Sequence, residues 1–200
     1  MGTKPAHVNC RWRRGSRRAA VFCLLALALG VGGCGKSGQG AKTDSEKAAD
    51  VEVINSLLAR ALTTIDSYER GTPLLRGEML AVAHRFRGQA QAHADALTKA
   101  IRGLGGETDA EAAEFESPAP QSQVEALVFL YEAENTALSQ ALEAVPQLEL
   151  AAPRTLAAAL AGSHAQHLTV LRQGLGVGRA ASVPRPFEDG EERPPGGEAG

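Results

Sequence analysis

Residues Gly105–Pro120, GGETDAEAAEFESPAP, decide how this chain folds. A Gly-Gly pair opens the stretch and Pro-Ala-Pro closes it, so helices end against it on both sides. Extended at ~3.3 Å per residue, the link reaches about 50 Å. A helix of about 25 residues is only ~38 Å long. The link can therefore run the whole length of a helical bundle, and a compact local turn is not required.

The flanking sequence supplies the bundle. Apolar residues recur in alternating steps of three and four, the seam of helices packed nearly parallel. Helix 1 is expected from near Ser45 to Tyr68, with Val51, Ile54, Leu58, Ala61, Ile65 and Tyr68 inward, ended by Gly71-Thr72-Pro73. Helix 2 is expected from near Pro73 to Leu104, with Met79, Ala83, Phe86, Ala90, His93, Leu97 and Ile101 inward. Helix 3 is expected from near Gln121 to Val145, with Val124, Leu127, Tyr131, Glu134, Leu138, Ala141 and Val145 inward and Pro146 closing it. Helix 4 is expected from Pro153 to Gly174, with Ala157, Leu160, His164, His167 and Leu171 inward, stopped by Gly174-Leu175-Gly176. Aromatics make up only 4% of the chain and no strand pattern is present. Short links join helices 1–2 and 3–4, making each pair an antiparallel hairpin. The expectation is an all-α four-helix bundle over residues 49–176, with one long crossover between helices 2 and 3.

Four inward positions are polar: His93, Glu134, His164 and His167. Each sits near the middle of its helix, so the four should meet at one level. A buried carboxylate among imidazoles is costly unless its members pair, hydrogen-bond or bind a metal. His164 and His167 are three apart and share one helix face. The glycines of Gly174–Gly178 follow a helix and open no strand–helix unit, so they form a stop and not a phosphate loop. His84 lies one residue off its stripe and is expected at the surface. Asp66 and Asp95 should face solvent. Tyr68 and Tyr131 should pack inside with a hydroxyl partner.

The segments INSLLARALTTIDSYERG, FRGQAQAHADALTKAIRGLGG, AENTALSQALEAVPQL and GSHAQHLTVLRQGLG, followed by VPRPF, resemble bacterial ferritin-like domain proteins, many of them exported. The resemblance covers about Val51 to Phe187. It implies the ferritin-like bundle with its single long crossover. It also implies a di-iron or di-manganese site built from a Glu on each of two helices and a Glu-x-x-His on each of the other two. Carried onto this chain, the helix 1 glutamate falls on Ala61 and the helix 2 motif on Ala90 and His93. The helix 3 glutamate is Glu134, and the helix 4 motif falls on His164 and His167. Both carboxylates that would bridge two metals are missing. What is left, Glu134, His164 and His167 with His93 nearby, has the composition of a site for a single Fe(II), Zn or Mn ion. The competing reading is a hydrogen-bonded network without metal. In that case His167→Leu should be neutral or stabilising, because it removes a desolvation cost.

The N-terminal end addresses localisation. Six basic residues, Lys4, Arg11, Arg13, Arg14, Arg17 and Arg18, precede the apolar run AAVFCLLALALGV and then Gly32-Gly33-Cys34. A transmembrane helix needs roughly 20 apolar residues, more than this run supplies. The layout is that of a secretion signal, and the cysteine after small residues makes it resemble a lipobox. The expectation is a lipoprotein signal over residues 1–33, diacylated Cys34, a flexible tether over 34–48 and a disordered Pro/Gly-rich tail over 177–200. With two membranes in the host, Gly35 favours the outer membrane, facing the periplasm. All 23 acids follow Cys34 and six of the 21 basic residues precede it, which leaves 15 bases and a mature formal charge of −8. That charge argues against nucleic acid as a partner. Cys10 and Cys23 fall in the signal and Cys34 carries lipid, so no thiol remains for a disulfide or nucleophile.

These features favour a lipid-anchored, non-catalytic ferritin-like module for binding or structure, with a lost di-iron site and no identified protein partner. The alternative is a mononuclear metal protein in metal handling or oxidative defence.

Overall fold

The computed structural model describes residues 43–113, 117–179 and 181–183. Every described residue lies in one compact unit that begins after Gly38. The expected signal, Cys34, most of the tether, residues 114–116 of the crossover and residues 184–200 lie outside the described residues. Within them, four helices carry the fold: α1 (Asp44–Gly71), α2 (Gly77–Gly103), α3 (Gln123–Gln147) and α4 (Ala151–Gly174). Among the described residues there is no strand, and no helix is long and apolar enough to cross a membrane.

Local chemistry sets the helix ends. The Thr43 hydroxyl accepts the Glu46 N–H at 3.2 Å, and the Glu46 carboxylate accepts the Thr43 N–H at 2.6 Å, a reciprocal capping box. α1 therefore starts at Asp44, inside the stretch expected to be tether. α2 starts later than Pro73. Pro73 sits in a short 3₁₀ turn, Thr72–Leu74, and Gly77 opens α2 with φ of 61°, a left-handed conformation suited to glycine. Ser122 caps α3 by accepting the Glu125 N–H at 3.2 Å. Pro146 falls inside the last turn of α3 and does not close it. α4 has no side-chain cap of its own. Its cap comes from α1: the buried Asp50 carboxylate accepts the Glu149 N–H at 2.7 Å and the Leu150 N–H at 2.9 Å. Negative charge there also complements the helix dipole.

The long link behaves as its length demands. Asn55 Nδ2 donates to Glu107 O at 3.1 Å. Further along, Thr63 Oγ1 bonds both Ala113 N, at 2.9 Å, and Ala113 O, at 3.1 Å. Arg70 Nη2 reaches Ser117 O at 3.5 Å. The link thus climbs α1 from Asn55 to Arg70, about 22 Å of helix axis. It delivers α3 to the end of the bundle where α1 stops, so α3 runs antiparallel to α1. α1 packs on α2 and α3, α3 packs on α4, and the α2–α4 seam is the thinnest. This is the ferritin-like four-helix bundle.

The core is divided along its length. One cluster holds Ile54, Leu58, Leu97, Ile101, Leu148 and Leu160; the other holds Tyr68, Phe86, Leu127, Leu130, Leu168 and Leu171. Fully burying one such aliphatic side chain stabilises the fold by ~1.5–3 kcal/mol. Leu138 touches both clusters, and the polar side chains of α3 and α4 lie between them. Beyond α4, Ser182 is buried. It accepts from Gln173 Nε2 at 3.0 Å and donates to Arg179 O at 2.8 Å, so residues 181–183 fold back on the end of α4.

Candidate metal centre

Glu134 is fully buried in the middle of α3, facing α4 and α1. Its helical period, shared with Leu127, Leu130, Tyr131 and Leu138, puts the carboxylate inside the bundle. On α4, the three-residue spacing brings both His164 and His167 to it. His164 Nδ1 lies 2.6 Å from Oε2 and His167 Nδ1 lies 3.0 Å from Oε1. The Tyr68 hydroxyl, from α1, donates to Oε1 at 2.8 Å. Each of Glu134, His164 and His167 offers a ligand atom, and the three atoms lie within 4.8 Å of one another. All three residues are buried.

These contacts decide the charge of the carboxyl. Burial pushes its pKa up, but the hydrogen bonds from His164 and His167 outweigh that and hold it at about 2. Glu134 is therefore an anion at neutral pH, neutralised by donors and not by solvent. Tyr68 is the counterpart: burial and the neighbouring Glu134 charge hold its phenol well above the ordinary value of 10.0. It remains a hydrogen-bond donor.

Two further residues of α2 complete the layer. Phe86 stacks on His167 with ring centres 3.8 Å apart and planes at 19°, fixing the imidazole plane. Gln89 Oε1 lies 2.7 Å from His167 Nε2. Nothing in the sequence reading pointed to Gln89. Its only signal is position, three residues after Phe86 and four before His93, next to the inward stripe.

His93 stands at the edge of the group. Its ring is edge-on to His164 at 5.4 Å, and its Nδ1 is buried without a hydrogen-bond partner among the described residues. Burial, then the charges of His164 and His167, lower its pKa from 6.5 to about 4. At neutral pH it is an uncharged imidazole with an unused ring nitrogen. Ala61 and Ala90 are buried methyl groups. Apart from Asp50, which caps α4, Glu134 is the one buried acid among the described residues. Asp66, Asp95 and His84 are exposed and Tyr131 is buried. Tyr68 has Glu134 as the partner of its hydroxyl.

One carboxylate and two imidazoles at this spacing form a donor set suited to Fe(II), Zn or Mn. His93 Nδ1, buried and without a hydrogen-bond partner among the described residues, is a further donor at the edge of this set.

A ferritin-like domain family model matches residues 39–177. Solved structures share the fold. A ferritin-like diiron-carboxylate protein from Bacillus anthracis is 17% identical, with a TM-score of 0.58 over 65% of this chain and 97% of its own. A conserved hypothetical protein from Mycobacterium tuberculosis is 21% identical, with a TM-score of 0.61 over 66% of this chain and 94% of its own. DpsC from Streptomyces coelicolor is 17% identical, with a TM-score of 0.57 over 77% of this chain and 95% of its own. No curated protein sequence matches the chain.

Proposed function

This chain belongs to the ferritin-like domain family, and on that footing we propose a lipid-anchored, non-catalytic bundle that binds one divalent ion. The observation that carries this reading is the convergence of Glu134, His164 and His167 ligand atoms within 4.8 Å. The unpartnered Nδ1 of His93 supports it as the fourth donor. A buried polar nitrogen left unbonded costs ~1–3 kcal/mol, a penalty that coordination removes.

A pair of metals does not fit. Ala61 and Ala90 offer methyl groups, so among the described residues Glu134 is the single carboxylate available to the layer. Two divalent ions a few ångströms apart would repel strongly without bridging acids. When bound, a single ion of Fe, Zn or Mn supplies one Lewis-acidic centre, with one-electron chemistry in the case of iron or manganese. The chain's own groups orient the ligands. Tyr68 holds the Glu134 carboxylate, and Phe86 and Gln89 hold the His167 ring. Coordination through Nδ1 requires His164 and His167 to release the protons they share with Glu134, so metal uptake liberates protons.

Attachment through a diacylated Cys34 follows from the apolar run and the VGGC sequence that ends it. In a host with two membranes it places the bundle in the periplasm, on the outer membrane. A second reading, a purely structural hydrogen-bonded layer, has one observation in its favour: both Glu134 oxygens already accept hydrogen bonds.

Melting curves separate the two. A bound ion at 100 times its Kd stabilises the fold by ~2.7 kcal/mol. Chelator should lower the melting temperature of the wild-type chain and leave His164→Ala unmoved. Identical curves for wild type with and without chelator would leave only the structural reading.

A further inference from the structure

A surface cleft of about 610 Å³ lies where α1, the 3₁₀ turn and the start of α2 meet. Clefts of roughly 300–1,000 Å³ are the size class that holds small ligands. Its walls are amphiphilic. Pro73 and Leu80 supply an accessible apolar side. Arg76, Arg87 and His84 supply a basic side.

The charges leave one cation over. Arg87 Nη2 is paired with Glu69 Oε1 at 2.5 Å, across the cleft lining. Arg76 faces no acid there. Its Nη1 donates to Pro73 O at 2.9 Å and Leu75 O at 2.8 Å, which pins the guanidinium against the turn. Its Nε and Nη2 make no hydrogen bond among the described residues. A second, independent feature is Thr72, nine-tenths buried in the cleft wall, whose hydroxyl has no partner among the described residues. An orphaned hydroxyl and a pinned guanidinium without an acid partner, lining one cleft, suit an anion.

We infer that this cleft binds a small amphiphilic carboxylate. The carboxylate engages the Arg76 fork and the Thr72 hydroxyl, and an alkyl or aryl body lies on Pro73 and Leu80. A monoanion is specified because one guanidinium is uncompensated; a dianion would keep an unmatched charge. Tyr68, whose hydroxyl holds Glu134, lies fully buried behind the cleft wall. The cleft nonetheless shares no proposed metal ligand with the buried layer, so the two assignments fail independently.

The test is calorimetric titration of the full chain in lipid nanodiscs with octanoate, using empty nanodiscs as blank. The expected Kd is roughly tens to hundreds of micromolar for a ligand of this size. Octanol and octylammonium should bind at least ~10-fold more weakly, since a charge-assisted bond is lost. Arg76→Gln should weaken octanoate at least ~10-fold, and Arg76→Lys, which keeps the charge and loses the fork, should fall between. Unchanged melting temperatures establish that both variants fold. Equal affinity for octanol and octanoate, no binding at millimolar octanoate, or indifference to Arg76→Gln overturns the inference. So does sedimentation showing a dimer that Leu80→Asp dissociates, because a second copy would then fill the cleft.

Discussion

Replacing His167 by leucine tests how the polar layer is held. His167 is a partner of a buried anion, and Leu cannot donate to it. Breaking a buried ion pair from one side costs ~3–5 kcal/mol when the remaining charge is left alone. Glu134 would not be alone: it keeps the Tyr68 hydroxyl at 2.8 Å and His164 Nδ1 at 2.6 Å. The loss is therefore one charge-assisted hydrogen bond, ~1.5–3 kcal/mol, plus the stacking on Phe86, ~0.5–1.5 kcal/mol. Leucine restores some apolar contact against Phe86, and the exposed Gln89 returns to water. The net destabilisation is about 2–3 kcal/mol, a fall of roughly 8–12 °C in melting temperature for a bundle of this size. The assay is thermal and denaturant unfolding followed by circular dichroism at pH 7, in chelator, so that metal plays no part. Adding Glu134→Gln to His167→Leu should cost less than the two single changes summed, by ~1–2 kcal/mol, because the orphaned charge is gone. A neutral or stabilising His167→Leu would refute the reasoning. That outcome is the one expected from the sequence for a metal-free network, where spacing places Glu134 at the level of His167 but does not show the hydrogen bond between them.

Three other outcomes are expected. Asp50→Ala should destabilise the bundle by ~1–2 kcal/mol by uncapping α4, visible as a lower denaturant midpoint; an unchanged midpoint would mean that the two backbone N–H groups find other acceptors. Acidification should weaken the fold in two stages. The unfolded chain protonates His93 near 6.5 while the folded chain refuses the proton until about 4, so stability falls as pH drops through that interval. Glu134, at about 2 folded against 4.5 in its ordinary state, then removes its contribution as pH falls from 4.5 towards 2. His93→Asn should abolish the upper stage in a pH series of melting curves, and its persistence would assign that stage elsewhere. Cys34→Ser should block lipid attachment and leave unprocessed precursor, and mass spectrometry finding an unmodified Cys34 on mature wild-type protein would count against the anchor.

The fold was legible because its determinants are periodic or one-dimensional. Stripes such as Leu127, Tyr131, Glu134 and Leu138 mark helix faces directly, and the reach of Gly105–Pro120 admits a lengthwise crossover. Boundaries were less legible. Pro73 reads as a helix start, yet the chain uses it in a 3₁₀ turn and waits for Gly77 to begin α2. Thr43 and Glu46 form a capping box that the expected tether concealed. In the site, the residue types and the shared level of Glu134, His164 and His167 were readable from spacing. Their partners were not. Tyr68 lies 66 residues from Glu134, and Gln89 lies 78 residues from His167. Asp50 caps a helix that starts about 100 residues later, through bonds to Glu149 and Leu150. Such pairings depend on how two helices are rotated against each other, which a single helix's periodicity does not encode.

The most direct test of the central claim is metal stoichiometry. The full chain, tag-free and prepared with iron, manganese and zinc present, would be exhaustively dialysed and its bound metal counted by plasma mass spectrometry. The account predicts one ion per chain, lost on His164→Ala, and two ions when Ala61→Glu, Ala90→Glu and His164→Glu are combined. Two ions in the wild-type chain would contradict the assignment of a single centre to Glu134, His164 and His167, and none would leave the layer a purely structural network.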